Sequence, residues 1–206
     1  MKYLVMTCVL LLVSASASAD TNAILEELDV YLDVTAAQLG DSPFAAVASR
    51  DGEIIYERYY GADGVLERTV DEHSRWQVFS ITKSFAAALV LSLCEDGTVA
   101  LDDPVGEYLP AFRGSGVTIR HLMSHTSGAA FAGSKTPESL PPDFARVEII
   151  SEPGSEFEYS NLGMLILERT IEAATGVDFA DLLQERILEP LELTATGYVY
   201  AGSASD

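Results

Sequence analysis

The run from Val78 to Leu91, Val-Phe-Ser-Ile-Thr-Lys-Ser-Phe-Ala-Ala-Ala-Leu-Val-Leu, is apolar over most of its length and contains no acidic residue. Such a stretch has to be buried on most faces, so it predicts a helix at the centre of the fold, opening near Ser80 and stopping at Glu95-Asp96-Gly97. One cation, Lys83, interrupts it. An amine held among apolar groups is disfavoured in its charged form and can serve as a neutral base near neutral pH, which a guanidinium cannot do. Outside residues 1–19 the only lysines are Lys83 and Lys135, beside nine arginines. Lysine is therefore not this chain's default cation, and its use at position 83 reads as chemical.

Ser80 stands three residues before Lys83, a spacing that puts both side chains on one helical face with Cβ atoms roughly 5–6 Å apart. A neutral amine there can take the hydroxyl proton. The unpaired N–H groups and positive end of a helix starting at Ser80 would stabilise an oxyanion forming at that serine. The pair has the chemistry of an activated nucleophile. The alternative is an ordinary serine N-cap with Lys83 extending its amine to water.

Residues 1–19 carry Lys2, an apolar run from Leu4 to Val13, and Ala17-Ser18-Ala19 before Asp20. This is the pattern of a cleavable secretory leader, predicting a mature chain that begins near Asp20 in the periplasm or outside the cell. The run is shorter than the roughly 20 residues a spanning helix needs, so no stable membrane span is expected after cleavage. Cys8 would leave with the leader, and Cys94 then has no partner for an intrachain disulfide. Its neighbours Leu91, Ser92 and Leu93 suit a small buried hydrophobe. The remaining residues carry 11 basic and 32 acidic side chains. So acidic a chain is repelled by nucleic acid and by anionic membranes, and its charge fits a heavily solvated surface suited to a saline setting. A hydrophobic content of 48% supports a real core.

Ile24, Leu28, Tyr31, Leu32, Thr35 and Leu39 recur at helical spacing over residues 22–39, with Thr21 or Asn22 as caps. Phe44 to Ser49 and Ile54 to Tyr60 read as two strands joined by a tight turn at Asp51-Gly52. Gly61 to Arg75 is polar and irregular. Residues 101–142 hold many Pro, Gly and Ser and predict mostly loops and short helices, one of them from Thr118 to Met123. Helices follow, from Leu162 to Gly176 and from Phe179 to Ile187 before Pro190. A weak strand at Gly197 to Tyr200 and a frayed tail complete the pattern.

Three segments in order, Ser80-Ile81-Thr82-Lys83, His125-Thr126-Ser127-Gly128 and Tyr159-Ser160-Asn161, resemble the serine beta-lactamase and penicillin-binding protein superfamily. The likeness is strongest to its class C-like branch of beta-lactamase-related hydrolases. Leu101-Asp102-Asp103-Pro104-Val105 and Glu189-Pro190-Leu191 resemble linking segments of the same family. The resemblance implies an α/β (α+β) beta-lactamase/transpeptidase-like fold, with an antiparallel sheet flanked by helices and a mostly helical subdomain. Residues 40–97 would hold the sheet hairpin and nucleophile helix, residues 98–158 the loop-rich helical subdomain, and residues 161–190 the later helices.

It also implies roles. Ser80 would attack a carbonyl, Lys83 would take its proton or hold the base that does, and Tyr159 would shuttle a proton to the leaving group or activate water. A tyrosine base needs a phenol pKa below about 10, which a nearby ammonium favours. Asn161 would bind the acyl side chain or orient Lys83. Neither a metal nor an organic cofactor is implied. The expected partner is a small-molecule or peptidoglycan-like substrate, and oligomeric state has no signature.

The superfamily's third motif, a Lys-Thr-Gly or His-x-Gly triplet on a sheet strand, does not occur between Asn161 and Asp206. The expectation is therefore an N-terminal portion of the family domain lacking the C-terminal sheet strands. A non-catalytic module that binds cell-wall peptide or protein through the same cleft is the alternative to a hydrolase. His121 and His125 have the i, i+4 spacing of two metal ligands, but no third ligand accompanies them. In the resembled family the His125 segment is a structural loop near the cleft. Asp102/Asp103 and Glu156/Glu158 could suggest glycosidase carboxylates, though turn and surface roles suit them better.

Overall fold

The computed structural model describes residues 21–63, 68–131, 144 and 146–198, so the leader assigned to residues 1–19 lies outside the described residues. The chain forms two units, one ending at Val78 and the other beginning at Phe79.

In the first unit, helix α1 (Thr21–Leu39) precedes strands β1 (Phe44–Arg50) and β2 (Glu53–Tyr60), which pair antiparallel from Phe44 opposite Tyr60 to Arg50 opposite Glu53. The turn between them needs two left-handed residues, and Asp51 (φ 54°) and Gly52 (φ 84°) supply them, as the sequence predicts. Stacked Phe44 and Tyr60 rings, 4.5 Å apart, close the open end of the hairpin. Asp29 of α1 ties the helix to the sheet: it accepts from the Tyr56 hydroxyl at 2.7 Å and pairs with Arg58 at 3.0 Å. Burial, and then that carboxylate, oppose a phenolate and push the Tyr56 phenol far up. Only Leu32 and Tyr56 among the described apolar residues of this unit are buried.

The second unit carries the large core. A 3-10 turn (Phe79–Ile81) leads into α2 (Thr82–Glu95), followed by α3 (Val105–Tyr108), α4 (Ile119–Met123), α5 (Asn161–Thr175) and α6 (Phe179–Leu183), the last continuing as a wider π-type turn (Gln184–Leu188). Leu89, Val90 and Leu93 of α2 pack in one cluster with Ile119 and Leu122 of α4, Ile166, Leu167 and Ile171 of α5, and Leu182 and Leu183 of α6. The central placement expected for the helix after Ser80 is thus observed within this unit. Cys94 lies half-buried against the cluster, its thiol pushed up chiefly by burial.

Helix ends follow their sequence signals. Thr118 accepts from the His121 N–H while the His121 ring accepts from the Thr118 N–H, a reciprocal cap for α4. Ser160 caps α5 by accepting from the Gly163 N–H at 2.9 Å, and Gly176 ends that helix at φ 73°.

Two strand pairs correct the reading from sequence. Within the segment read as irregular, β3 (Ala62–Asp63) pairs with β4 (Arg68–Thr69), and within the loop-rich region β5 (Ala129–Phe131) pairs with β6 (Val147–Ile149). Strands of two or three residues are too short to show a period of two. The weak strand proposed at Gly197–Tyr200 does not form at Gly197 and Tyr198, and its other two residues lie outside the described ones.

Candidate active site

Ser80 sits exposed in the 3-10 turn that feeds α2. Its oxygen is not used for capping, since the first turn of α2 has no side-chain cap. The hydroxyl instead meets two donors: the Lys83 amine at 3.2 Å and the Tyr159 hydroxyl at 2.6 Å. The preceding residue, Phe79, is 57% exposed and held at φ 42°, a left-handed conformation costly for a bulky side chain.

Lys83 is half-buried rather than enclosed. The sequence suggested an amine isolated among apolar groups; the apolar side chains of α2 instead turn into the core while the amine reaches along the helix face to polar partners. It donates to Asn161 Oδ1 at 2.8 Å and lies 4.9 Å from the centre of the Tyr159 ring. Among the described residues no carboxylate comes within ion-pair distance of it. The three sequence candidates Ser80, Lys83 and Tyr159, with Asn161, therefore converge on one point.

The extended backbone of Ser160 (φ −131°) places Tyr159 just before α5 and Asn161 on its first turn. Hydrogen bonding to Lys83, and then to Ser80, holds the Tyr159 phenol below its ordinary value of 10.0. The anion of Tyr159 is stabilised by the same neighbours that its oxygen would serve.

One residue in contact with this group, His125, figures in the sequence reading as part of a structural loop and, with His121, as a pair at metal-ligand spacing. His125, at φ 57°, accepts from the Ser160 N–H through Nδ1 at 3.1 Å, and its ring lies 4.7 Å from that of Tyr159. Burial, and then the charge on Lys83, push its pKa down from 6.5. The two histidines spaced as metal ligands each use Nδ1 to accept a backbone N–H. No trio of His, Cys, Asp or Glu is arranged to hold a metal among the described residues. Asp102 pairs with Arg120 at 2.7 Å, Asp103 accepts from the Ala100 N–H and the Tyr108 hydroxyl, and Glu156 and Glu158 are exposed. These acids have turn and surface roles.

The family model described as Beta-lactamase matches residues 35–205 of the chain. The chain belongs to the beta-lactamase family. Esterase EstB of Burkholderia gladioli is 32% identical, over 89% of this chain and 54% of its own length. Penicillin-binding protein 4* of Bacillus subtilis is 30% identical, over 73% of this chain and 36% of its own. This beta-lactamase family chain thus spans about half or less of the length of these curated relatives. Among solved structures, the octameric penicillin-binding protein homologue from Pyrococcus abyssi superposes with a TM-score of 0.68 at 28% identity, covering 82% of this chain and 43% of that one. A class C beta-lactamase superposes with a TM-score of 0.73 at 22% identity over 90% of this chain and 54% of its own, a likeness of fold. The fold is the beta-lactamase/transpeptidase-like one that the sequence resemblance implied.

Proposed function

We propose that this chain carries the acylating site of an exported serine hydrolase acting on an amide, lactam or ester. Ser80 Oγ attacks the carbonyl carbon while its proton passes to the Lys83–Tyr159 pair. The resulting oxyanion meets the Ser80 N–H in the 3-10 turn that leads into α2. Collapse of the tetrahedral intermediate breaks the C–N or C–O bond, and the proton held by the pair goes to the leaving nitrogen or oxygen. Water then attacks the acyl-serine, giving up its proton to the pair, and Ser80 recovers a proton as the acid departs. Asn161 keeps the amine aimed at Ser80 throughout.

The observation that carries this reading is the convergence of an amine and a phenol on one exposed serine oxygen, at 3.2 and 2.6 Å. The esterase and the penicillin-binding protein among the relatives favour acyl chemistry without choosing between ester and peptide-like donors. Export rests on the leader-like residues 1–19; no helix among the described residues is long and apolar enough to cross a membrane.

A fluorophosphonate or penicillin should label the protein, with the penicillin label lost slowly to water and Ser80→Ala showing none. Labelling of the alanine variant at the wild-type level would overturn the assignment of the nucleophile. A chromogenic ester separates hydrolase from binding module: the former gives a burst of product equal to enzyme, the latter neither burst nor turnover.

A further inference from the structure

The segment bearing Tyr159 and Asn161 has to be held still if a phenol is to work at a fixed distance from Ser80, yet Tyr159 is 52% exposed and Phe157 is 71% exposed. Side chains so open to water are not fixed by burial. His125 holds this segment at four points. Its carbonyl accepts from the Glu158 N–H at 2.8 Å and its Nδ1 accepts from the Ser160 N–H at 3.1 Å. Its ring lies tilted against Tyr159 at 4.7 Å and meets Phe157 edge-on at 6.0 Å. The anchor is itself rooted in the core, because the His125 N–H donates to the carbonyl of Leu122, whose side chain is fully buried.

We infer that His125 is a positioning residue for Tyr159, clamping the Phe157–Ser160 segment so that the phenol stays on Ser80. The inference rests on the proposed role of Tyr159. Position 125 asks for a flat ring, an acceptor within reach of a backbone N–H, and tolerance of a left-handed backbone, and histidine supplies all three. The accepting nitrogen must be unprotonated, so the neutral ring carries its hydrogen on Nε2 and never needs to exchange a proton with substrate.

Two substitutions divide these properties. His125→Phe keeps a ring but leaves the Ser160 N–H without its acceptor, while His125→Asn supplies an oxygen near the place of Nδ1 and tolerates φ 57°. With a chromogenic ester, His125→Phe should lower kcat roughly ten- to hundredfold, the scale set by one unpaired half-buried amide, with KM changed by less than about twofold. His125→Asn should recover most of the loss. Independently of turnover, the Tyr159 phenol can be titrated by NMR of carbon-labelled tyrosine, assigned with Tyr159→Phe. It should ionise below the ordinary tyrosine value in the wild type and shift upward in His125→Phe.

A wild-type titration in folded His125→Phe, or a His125→Asn as impaired as His125→Phe, overturns the inference. If His125→Phe does not fold, nitrogen NMR of the wild-type ring decides: an unprotonated Nδ1 with a slowly exchanging Ser160 amide supports the clamp, and a protonated Nδ1 refutes it. Absence of any burst in the wild type would instead sink the hydrolase reading, while the Tyr159 titration would still settle the clamp.

Discussion

Under the proposed mechanism Ser80 gives its proton to Tyr159, whose phenolate the Lys83 ammonium stabilises. Because Lys83 and Ser80 stabilise the phenolate, Tyr159 should reach its basic form at lower pH than a free tyrosine. A depressed acid is deprotonated over a wider range, so acylation should rise with pH and level off below pH 10 rather than above it. Stopped-flow measurement of the burst phase across pH gives that curve. Tyr159→Phe should remove the rising limb and slow acylation by about 10²–10⁴-fold, the usual worth of a positioned proton carrier. A rising limb that survives Tyr159→Phe would assign the titration to another group.

At the scale of elements, α5 presents Asn161 to the site and packs Ile166, Leu167 and Ile171 into the core, so its first turn joins stability to chemistry. Ser160 closes that turn by accepting from Gly163. Ser160→Ala should cost about 1 kcal/mol by urea or thermal unfolding, and Ser160→Asp, another good cap, should restore most of it. Helices of this kind were legible from sequence because a 3.6-residue apolar period and a glycine stop agree over fifteen residues, while the Ser160 cap emerged only in the structure. The pairing of β5 with β6 was not: Ala129 meets Ile149 across a polar connection, and neither strand is long enough to alternate. The site shows the same division. Ser80 and Lys83 are local to one helix face and could be argued from spacing alone. Tyr159 and Asn161 come from nearly eighty residues away and were reachable only through family resemblance. His125 acts by accepting a backbone N–H, a role that leaves no pattern among side chains.

At the scale of the whole molecule the dominant property is a formal net charge of −20. A field of that sign repels an anionic acyl donor such as a penicillin and leaves a neutral ester unaffected, and salt shortens its reach to about 10 Å at 0.1 M. Raising ionic strength from about 10 to 300 mM should therefore raise kcat/KM for the anionic donor by roughly three- to tenfold and leave the neutral ester's nearly constant. Equal salt responses from the two donors would show that the local potential at Ser80 is not set by the total charge. Salt also acts inside the molecule, and unevenly. Exposed pairs such as Arg120 with Asp102 and Arg186 with Asp96 weaken as ions crowd around them. The tether on Lys83 is different in kind, because its partner is the neutral amide of Asn161 at 2.8 Å. A short bond between an ammonium and an uncharged dipole has no second ion for brine to shield, so the amine beside Ser80 is built to stay in register in waters that dissolve the protein's surface bridges.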